Sequence, residues 1–493
     1  MRLFSLLIGL SFAWQTQASD LKNDYLVKAD PTAVAQVMSQ LKARLPEGSQ
    51  VKDLGVAGWL RVQLPKNLIT TFSTAQIFSM PGVKAAGPNR TLRLFNNWSV
   101  TDPAKRMELM ARIQEGGLPG GTVPPDNPAI PTTGSGGSGP DTHFSSQWGM
   151  NQLGVKEAWA SNGKGSDNVV VAVIDTGVDY THEDLVDNMW RNPGETGRDA
   201  NGADKSSNGI DDDGNGFVDD VVGWDFASND NKPYDFTTSV WDMLFGGGNP
   251  GHGTHCAGNV AARADNGKGV VGVAPNVKIM AIRFLTEKGQ GTIADAVESV
   301  KYGVDNGANV LSNSWGSEGD DPNDPATEAL KDAIRYAESQ NVIFIAAAGN
   351  GHQGVGYDND NDSRPAYPAS YDMDVIVSVA AIDESGNLGS FSNWGARGVD
   401  LGAPGVKVFS TMVDNKYSDT VIDIPGMITA TWDGTSMATP HVAGAAALYL
   451  SKHPGASFRD VKSALLGSVK RTSQLGSKTV SGGQLDVRAL MQK

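Results

Sequence analysis

Apolar runs alternate with amphipathic segments through the C-terminal two thirds of the chain. The runs NVVVAVID, VKIMAIRFL, ANVLSNS, VIFIAAAGN and DVIVSVAAID are apolar at nearly every position, and the segments DAVESVKYGVDNG and ALKDAIRYAESQ carry apolar residues at helical spacing. A run without polar alternation predicts a strand that is buried on both faces. Strands of this kind that alternate with helices predict an α/β domain with a central, mostly parallel sheet covered by helices on both sides.

A further helix is predicted from Met437 to Leu448, where most side chains are Ala, Gly, Val or Leu. Such a helix would be buried on most of its faces. Ser436 directly precedes it, at a position where unpaired backbone N–H groups and the positive end of the helix dipole favour developing negative charge. A serine that only caps the helix is the alternative interpretation.

A smaller pattern occupies the N-terminal part, from Asp24 to Phe95. It consists of the strand DYLVKAD, the helix PTAVAQVMSQLKARL, the strand GWLRVQLP, the helix NLITTFSTAQIFSMPG and the strand KAAGPNRTLRLF. This order predicts a small α+β domain of ferredoxin-like type. Gly, Pro, Ser and Thr dominate residues 116–140, which predicts a flexible linker. We therefore divide the chain into a small domain at 19–97, a linker at 98–141 and a large domain at 142–493.

Composition and the first residues indicate an exported protein. The chain has 493 residues and a net charge of −15, which argues against nucleic acid and anionic membranes as partners. Arg2 is followed by an apolar run to Trp14 and by a small-residue site ending at Ala18, the pattern of a secretory signal peptide at 1–18. We expect a secreted protein, extracellular or periplasmic. Cys256 is the only cysteine, so we expect no intrachain disulfide and interpret it as a buried, inert thiol.

Polar residues with catalytic potential follow the predicted strands, at the edge where α/β sheets bind ligands. Asp175 ends one strand, Asn350 follows another, and His252 lies in the glycine-rich segment GHGTHCAGNV. Each has a simpler interpretation: a loop cap for Asp175, a turn residue for Asn350, and a helix start or a metal ligand with His255 for His252. Together with Ser436 they would supply an orienting carboxylate, a base, an oxyanion donor and a nucleophile.

Four motifs in chain order carry a family resemblance. VIDTGVD, GHGTHCAG, AAAGN and GTSMATPHVAG resemble the motifs of the subtilisin-like serine proteases, within a similarity spanning residues 144–489. The resemblance implies a subtilisin-like three-layer domain and a serine endopeptidase that works through an acyl-enzyme. Ser436 would be the nucleophile and His252 the general base and acid. Asp175 would fix the tautomer of His252, and Asn350 would share the oxyanion hole with the Ser436 backbone N–H.

Two segments, SNSWG and AAAGN, resemble those that line the family's primary specificity pocket and bind substrate backbone as an added strand. Trp315 stands where smaller apolar residues are common in the family, so it either narrows or caps the pocket or packs on the surface. We expect a preference for apolar or aromatic side chains before the scissile bond. The residues expected to contact substrate are Ser314, Trp315, Gly316, Ala348 and Gly349.

Two structural calcium sites are predicted. In NGIDDDGNGFVDD, acidic side chains at alternate positions on a glycine turn match the start of an EF-hand loop, although a solvated acidic turn without metal is the alternative. The family resemblance alone implies the second site, at Asp184 and Asn266. The predicted ligands of the first site are Asp211, Asp213, Asn215, the Phe217 carbonyl, and either Asp219 or Asp220.

The N-terminal domain resembles the propeptides of this family, which act as folding chaperones and intramolecular inhibitors. The resemblance therefore implies a zymogen, with a maturation cleavage expected within residues 98–142. We expect a monomer whose partners are protein or peptide substrates and its own propeptide. A catalytically silent relative that uses the same cleft to bind peptides is the alternative function.

Overall fold

A computed structural model describes residues 23–65, 77–100, 102–116, 128–131, 134, 136–319 and 321–493. The predicted signal peptide and most of the second predicted helix of the small domain lie outside the described residues. The described α-helices are, in chain order, α1 (Val34–Arg44), α2 (Pro103–Gly116), α3 (Trp148–Leu153), α4 (Val155–Asn162), α5 (Val240–Gly246), α6 (His252–Ala261), α7 (Ile293–Asp305), α8 (Pro325–Ser339), α9 (Thr435–Lys452), α10 (Phe458–Gly467) and α11 (Val487–Leu490).

The strands form two main sheets and several short ones. In chain order the described strands are β1 (Asp24–Ala29), β2 (Gln50–Asp53), β3 (Trp59–Gln63), β4 (Val83–Pro88), β5 (Thr91–Leu94), β6 (Val170–Asp175), β7 (Gly223–Asp225), β8 (Lys278–Arg283), β9 (Gln290–Thr292), β10 (Val310–Asn313), β11 (Trp315–Glu318), β12 (Ile343–Ala347), β13 (Ala366–Tyr367), β14 (Ile376–Ile382), β15 (Leu401–Pro404), β16 (Ser410–Met412), β17 (Lys416–Ser418), β18 (Thr420–Ile424), β19 (Ile428–Thr431), β20 (Lys470–Arg471) and β21 (Gly483–Gln484).

The large sheet has the order β20-β21-β15-β14-β12-β10-β6-β8-β7, and the strands from β15 to β7 are parallel. Every residue of β6, β12 and β14 is buried, as their continuous apolar runs predict. Helices α7 and α8 pack against each other, and α6 packs against α9. The predicted three-layer α/β fold is confirmed.

Helix α9 runs through the core as predicted, with every residue from Thr435 to Tyr449 buried. Its small side chains permit close contact with neighbouring elements. At Gly444 an added Cβ would lie 2.8 Å from the Cβ of Val273 and 3.1 Å from the carbonyl oxygen of Val260. Ser436, the second residue of α9, is therefore held by a rigid, buried helix.

The small domain is a four-stranded antiparallel sheet of order β2-β3-β1-β4 that carries α1. Val37 and Leu41, one turn apart on α1, are buried against this sheet. Two details differ from the sequence prediction. Strand β2 was not predicted, because its residues are mostly exposed and show no apolar alternation. The last predicted strand is divided into β4 and β5, and β5 pairs with the large domain instead.

Residues 103–116 also differ from the prediction, since part of the expected linker is helix α2. Leu109 and Ile113, one turn apart, are buried in the main core, and the Arg106 guanidinium lies 5.1 Å from the centre of the Phe245 ring on α5. The burial of Leu109 and Ile113 stabilises a helix in a region where the neighbouring Gly and Pro residues had predicted irregular chain. Within the part of the chain that the structure describes, no helix has both the length and the apolar character needed to cross a bilayer.

Candidate active site

Asp175 and His252 meet at the carboxyl edge of the large sheet, where β6 ends and α6 begins. Nδ1 of His252 lies 2.8 Å from Oδ1 of Asp175, and both side chains are buried. The backbone N–H of Thr176 donates to the same carboxylate oxygen over 2.7 Å. A carboxylate at Nδ1 holds the proton on that nitrogen and leaves Nε2 free to accept one. The predicted orienting role of Asp175 is compatible with this geometry.

The negative charge of Asp175 raises the pKa of His252. Burial alone would lower the pKa of this imidazole, but the Asp175 carboxylate outweighs it, so the pKa of His252 lies well above its ordinary value. Nε2 of His252 is buried and has no hydrogen-bond partner among the described residues. A base of raised pKa with an unoccupied nitrogen is suited to take a proton from a neighbouring hydroxyl.

A buried carboxylate, Asp235, fastens these two elements together. Its Oδ1 accepts a hydrogen bond from Oγ1 of Thr176 (2.8 Å), and its Oδ2 accepts from the N–H and the hydroxyl of Thr254 (2.8 and 2.7 Å). The Thr176 hydroxyl in turn accepts from the N–H of Gly253 over 2.9 Å. Asp235 thus fixes the end of β6 relative to the start of α6, a role that sequence reasoning missed because the residue lies in no recognised motif.

The Ser436 hydroxyl points into the cleft from the first turn of α9. Its Oγ lies 3.1 Å from the carbonyl oxygen of Ser314 and 3.3 Å from that of Phe95. The predicted nucleophile and base therefore occupy one site, but the Ser436 hydroxyl bonds to a backbone carbonyl and not to His252. The carbonyls of Ser314 and Phe95 both compete for this hydroxyl.

The Asn350 amide is oriented by its neighbour Thr435. Its Oδ1 accepts from the N–H and the hydroxyl of Thr435, both over 2.9 Å, which directs the NH2 group towards the cleft. Nδ2 then donates to the Phe95 carbonyl oxygen over 2.8 Å. A backbone carbonyl thus sits where the predicted oxyanion donor can reach it.

The segment before this carbonyl, β5, lies in the cleft as an added strand. It pairs antiparallel with β11 on one side and with β9 on the other, and Leu94 is opposite Trp315. The Phe95 ring packs against Ala347 and Ala366, and a Cβ added to Gly316 would come within 2.5 Å of the ring. The absence of a side chain at Gly316 therefore makes room for an aromatic ring. Sequence reasoning missed Phe95, because its placement depends on a strand pairing between distant segments.

Trp315 differs from both predicted alternatives. Its side chain is 0% exposed and turned into the core, where Nε1 donates to the Ile174 carbonyl over 2.8 Å and the ring packs edge-on against Phe284 at 4.9 Å. The interpretation that Trp315 packs on the surface is wrong, and its side chain is not part of the cluster of Phe95, Ala347 and Ala366 that a residue narrowing or capping the pocket would join. Its backbone, in β11, pairs with Leu94 of the strand in the cleft.

The other predicted pocket residues have different surroundings. The Ser314 hydroxyl donates to the Ser436 carbonyl over 2.9 Å, and the Gly349 N–H donates to the Thr435 hydroxyl over 3.1 Å. The Ala348 side chain packs in a separate cluster with Ala380 and Val399, away from the Phe95 ring, and its predicted contact with substrate stays a prediction. Alternation along β12 places the preceding residue, Ala347, against the Phe95 ring instead.

Cys256 and His255 lie behind the site on α6. Cys256 is buried as predicted, with Sγ 3.9 Å from Nδ1 of His252, and burial raises the pKa of its thiol. His255 bonds through Nε2 to the Val408 carbonyl (3.0 Å) and stacks on Trp432 with ring centres 4.2 Å apart. His252 is engaged through Nδ1 by Asp175, and His255 through Nε2 by Val408. The interpretation of the two histidines as a metal pair stays an alternative.

Asp211 and Asp213 of the predicted calcium loop converge with Glu195. One oxygen atom from each of the three carboxylates lies within 4.8 Å of the others. Glu195 is fully buried, and its Oε2 has no hydrogen-bond partner among the described residues. Its other oxygen, Oε1, accepts from the N–H of Asp212 over 2.7 Å. A buried carboxylate oxygen without a donor, facing two further carboxylates, fits a hard cation such as calcium. Glu195 lies outside the loop motif, so no sequence pattern indicated it.

The remaining predicted residues of this loop support the cluster from behind. Nδ2 of Asn215 donates to Asp213 (3.3 Å) and to Asp220 (3.1 Å). Asp220 also accepts from the Tyr302 hydroxyl over 2.5 Å, and burial raises its pKa to about 6. The Phe217 ring packs edge-on against Trp224 with centres 4.9 Å apart, which anchors the loop.

At the second predicted site, Asp184 and Asn266 lie side by side. Nδ2 of Asn266 and the N–H of Val270 donate to the two oxygens of the Asp184 carboxylate over 2.7 and 2.8 Å. Burial raises the pKa of Asp184 to about 6, and the nearby Asp141 carboxylate adds to that rise. Oδ1 of Asp141 is buried without a partner among the described residues, which makes Asp141 a third ligand candidate, and the second acidic one, that the sequence did not indicate.

The large domain is similar in sequence to a family of known proteins. The profile of the subtilase family matches residues 166–484. The chain belongs to the subtilase family. Its relatives include the thermophilic serine proteinase of Bacillus sp. (strain AK1), 33% identical over 338 residues, which cover 68% of this chain and 65% of the relative. Thermitase of Thermoactinomyces vulgaris is 32% identical over 344 residues, covering 69% and 95%. Subtilisin DY of Bacillus licheniformis is 33% identical over 346 residues, covering 70% and 98%.

A solved structure extends the likeness to the fold of nearly the whole chain. Fervidolysin from Fervidobacterium pennivorans, described as a keratinolytic enzyme related to subtilisin, superposes with a TM-score of 0.64 and 24% identity. The match covers 96% of this subtilase but 61% of the fervidolysin chain. The predicted family and fold are thus confirmed, and the subtilase is by family a serine endopeptidase.

Proposed function

We propose that this subtilase is a secreted serine endopeptidase, made as a zymogen whose N-terminal domain is removed by its own active site at the bond between Phe95 and Asn96. The observation that carries the proposal is the position of the Phe95 carbonyl oxygen, 2.8 Å from Nδ2 of Asn350 and 3.3 Å from Oγ of Ser436. A peptide bond in this position is ready for attack. The bond lies just before the range 98–142 that was predicted from the sequence.

The chemistry follows from the groups around that carbonyl. Oγ of Ser436 attacks the Phe95 carbonyl carbon while its proton passes to Nε2 of His252, and Asp175 stabilises the resulting imidazolium. The oxyanion accepts from Nδ2 of Asn350 and the Ser436 N–H. The bond to Asn96 then breaks as His252 returns the proton to the leaving nitrogen. Water, activated by His252, hydrolyses the ester between Ser436 and Phe95.

The hydroxyl of Ser436 rotates to begin this sequence, from the Phe95 carbonyl towards Nε2 of His252. That nitrogen has no competing partner among the described residues, so the rotation breaks no other bond of the imidazole. The hydroxyl has to leave the carbonyl oxygens of Ser314 and Phe95 before it can donate to His252.

Ion pairs between the two domains support the inhibitory role of the small domain. Arg61 pairs with Asp295 on α7 over 2.6 Å, and Lys28 with Asp332 on α8 over 2.8 Å. The Arg61 guanidinium also bonds to Asp24 within its own domain over 2.7 Å. These contacts, with the β5 ladder, do not depend on the bond after Phe95. The small domain would therefore remain bound after cleavage and keep the cleft closed to other peptides.

The substrates that fit this cleft are extended polypeptides with a large apolar or aromatic side chain before the cleaved bond. The β9 and β11 edges bind any backbone, whereas the pocket of Ala347, Ala366 and Gly316 accepts the Phe95 ring. A peptide library cleaved only after Lys or Arg would contradict this specificity.

Calcium is the proposed structural cofactor. Asp211, Asp213 and Glu195 would hold one ion, and Asp184, Asn266 and Asp141 a second. Bound calcium would neutralise the clustered carboxylates and stabilise the folded chain by mass action. Secretion is proposed from the signal pattern at 1–18. With one cysteine, the chain would be exported without an intrachain disulfide.

Labelling with a fluorophosphonate tests the proposed activity. The full-length chain is incubated until its mass no longer changes, then labelled and assayed on casein, beside a Ser436→Ala variant. We expect wild type to be labelled at Ser436 and to hydrolyse casein, and the variant to do neither. Equal hydrolysis by both proteins would contradict the proposal. A wild-type preparation that has released the small domain and is still neither labelled nor active would support a peptide-binding role for the cleft.

A further inference from the structure

The chain beyond the Phe95 carbonyl is held in a second set of contacts, on the C-terminal side of the cleft. Asn96 to Val100 crosses in front of His252 and reaches α5, which belongs to the stretch 190–248 between the Asp175 and His252 motifs. If Phe95 precedes the cleaved bond, as in the proposed function on which this inference rests, Trp98 is the third residue after it. A peptide substrate has to follow the same path, because the reacting carbonyl is fixed by Asn350 and Ser436.

Trp98 is buried in an aromatic site that the large domain supplies. Its side chain is 1% exposed. Its ring meets the Trp432 ring edge-on with centres 5.7 Å apart and lies 6.1 Å from the His252 ring. Its Nε1 donates to the Gly248 carbonyl over 3.1 Å. The site thus offers an aromatic face, the edge of the imidazole and one hydrogen-bond acceptor at the distance that an indole requires.

Neighbouring contacts fix the register of this segment. Nδ2 of Asn97 donates to the Asp433 carbonyl over 3.0 Å. Oγ of Ser99 donates to the Met243 carbonyl over 3.1 Å, and the N–H of Val100 donates to the Leu244 carbonyl over 2.8 Å. Two of the acceptors lie on α5 and one lies in the turn before α9. The acceptors are all backbone carbonyls, so the Trp98 site is the main contact in this segment that can read a side chain by its shape.

We propose that Trp432, His252 and the Gly248 carbonyl form a specificity subsite that binds an aromatic side chain, and best an indole, at the third residue after the scissile bond. Its walls belong to the large domain. After cleavage residues 96–100 stay joined to that domain through α2, so this segment has to swing out of the cleft before a substrate can enter the subsite. The stretch 190–248 contributes the acceptor and α5, which gives this part of the chain a role in substrate selection. An indole in the subsite also covers His252 and shields the proton transfer from bulk water.

Hydrolysis of matched peptides tests the subsite. Full-length wild-type protein is first allowed to mature and to release the small domain, and kcat/KM is then measured for fluorogenic peptides that contain LRLFNNWSV or LRLFNNASV. Because a buried aromatic anchor commonly dominates an interface, we expect the alanine peptide to be cleaved about 30-fold less efficiently. A peptide with the serine after tryptophan changed to alanine is the matched control and should lose less than about threefold, the loss of one half-buried hydrogen bond.

A third peptide isolates the hydrogen bond to Gly248. Replacing tryptophan by 1-methyltryptophan keeps the ring but removes the N–H donor. We expect kcat/KM to be roughly fivefold lower for this peptide than for the tryptophan peptide. In a Trp432→Leu variant, checked for folding by its melting temperature, the preference for the tryptophan peptide should fall below about fivefold. If that variant does not fold, the peptide series in wild type still decides.

The outcomes separate this inference from the proposed function. Cleavage of the tryptophan and alanine peptides after phenylalanine with equal kcat/KM would leave the proposed function intact and overturn the subsite. Failure to cleave either peptide after phenylalanine, by a preparation that has matured, would overturn the proposed register and the subsite together.

Discussion

On the N-terminal side of the Phe95 carbonyl the chain is held by its backbone, whereas on the C-terminal side it is held through side chains. Strand β5 pairs with β9 and β11, and ion pairs fasten the domain that carries it. Beyond the carbonyl, the hydrogen bonds of Asn97 and Ser99 and the ring of Trp98 make most of the contacts.

The difference indicates how such a cleft can be both general and selective. A backbone ladder binds extended chains of almost any sequence, and selection on that side is left to the pocket around the Phe95 ring. Side-chain contacts bind fewer sequences but discriminate more between them. The active site lies between the two sides and acts on the peptide bond that their contacts position. It consists of Asp175, His252, Ser436 and Asn350.

The largest expected effect comes from the centre, which both sides share. In Asp175→Asn we expect kcat to fall about 10⁴-fold, because the tautomer of His252 is no longer fixed. The pH profile gives a second readout. His252 must be unprotonated to act, and its pKa is raised by the carboxylate, so wild-type activity should rise with pH above about 6.5. Without the carboxylate the effect of burial remains, and the acid limb should move to lower pH. An unshifted limb would contradict the assigned role of Asp175.

The next effect concerns the oxyanion donor. Asn350→Ala should lower kcat by about 10² to 10³-fold with little change in KM, because the donor acts mainly on the charge of the transition state. Thr435 loses an acceptor in this variant, so its melting temperature is measured alongside kcat. A variant with normal kcat would show that the Asn350 bond to the Phe95 carbonyl has no catalytic part.

Binding of the chain before the cleaved bond can be weakened by removing the Phe95 ring from its pocket. Phe95→Ala should slow self-cleavage about 100-fold, within the range by which apolar pockets discriminate, although the β5 ladder remains. Phe78→Ala is the matched control, because that ring is 56% exposed on the same domain and should have no effect on the rate. Densitometry of the precursor band over time measures both. Equal slowing by the two variants would mean that the small domain had been destabilised, not that the pocket had lost its ligand.

The ion pairs between the two domains can be weakened to test whether they hold the small domain on the large domain after cleavage. Arg61→Ala leaves the buried Asp295 unpaired and should weaken inhibition by the cleaved domain about 30-fold. Lys84→Ala, whose ion pair with Asp30 is exposed within the small domain, should change inhibition less than about threefold. The lag before casein hydrolysis reports release of the domain. A lag that is the same in Arg61→Ala as in wild type would show that the ladder alone retains the small domain.

The smallest expected effect lies away from both sides, at the carboxylate cluster. Calcium in excess should raise the melting temperature of wild type by a few degrees, and Glu195→Gln should lose most of that rise. Glu384→Gln, at an exposed position, is the control and should respond as wild type does. A calcium response that is unchanged in Glu195→Gln would exclude this residue as a ligand.

The sequence predicted the parts of the fold that depend on local pattern. Strands β6 and β12 are apolar throughout because both of their faces are buried, and the polar residues at their ends, Asp175 and Asn350, were identified for that reason. The small residues of α9 likewise predicted a buried helix behind Ser436.

What the sequence did not predict depends on contacts between distant segments. Phe95 and Trp98 enter the cleft because β5 pairs with β9 and β11, and no local pattern specifies that register. Glu195 joins the acidic loop only through the fold of the chain between them. Trp315 lies in a strand whose alternation does not indicate which face is buried, so its inward position required the packing of Phe284 to be known.

The most direct test of the account is the mass of the first fragment that the purified full-length chain produces in calcium, followed over time beside Ser436→Ala. The account predicts a fragment of wild type that begins at Asn96 and a matching small domain that ends at Phe95, with no cleavage of the variant. A first cut at another bond, or the same cut at the same rate in Ser436→Ala, would contradict the claim that the Phe95 carbonyl is in place for attack by Ser436.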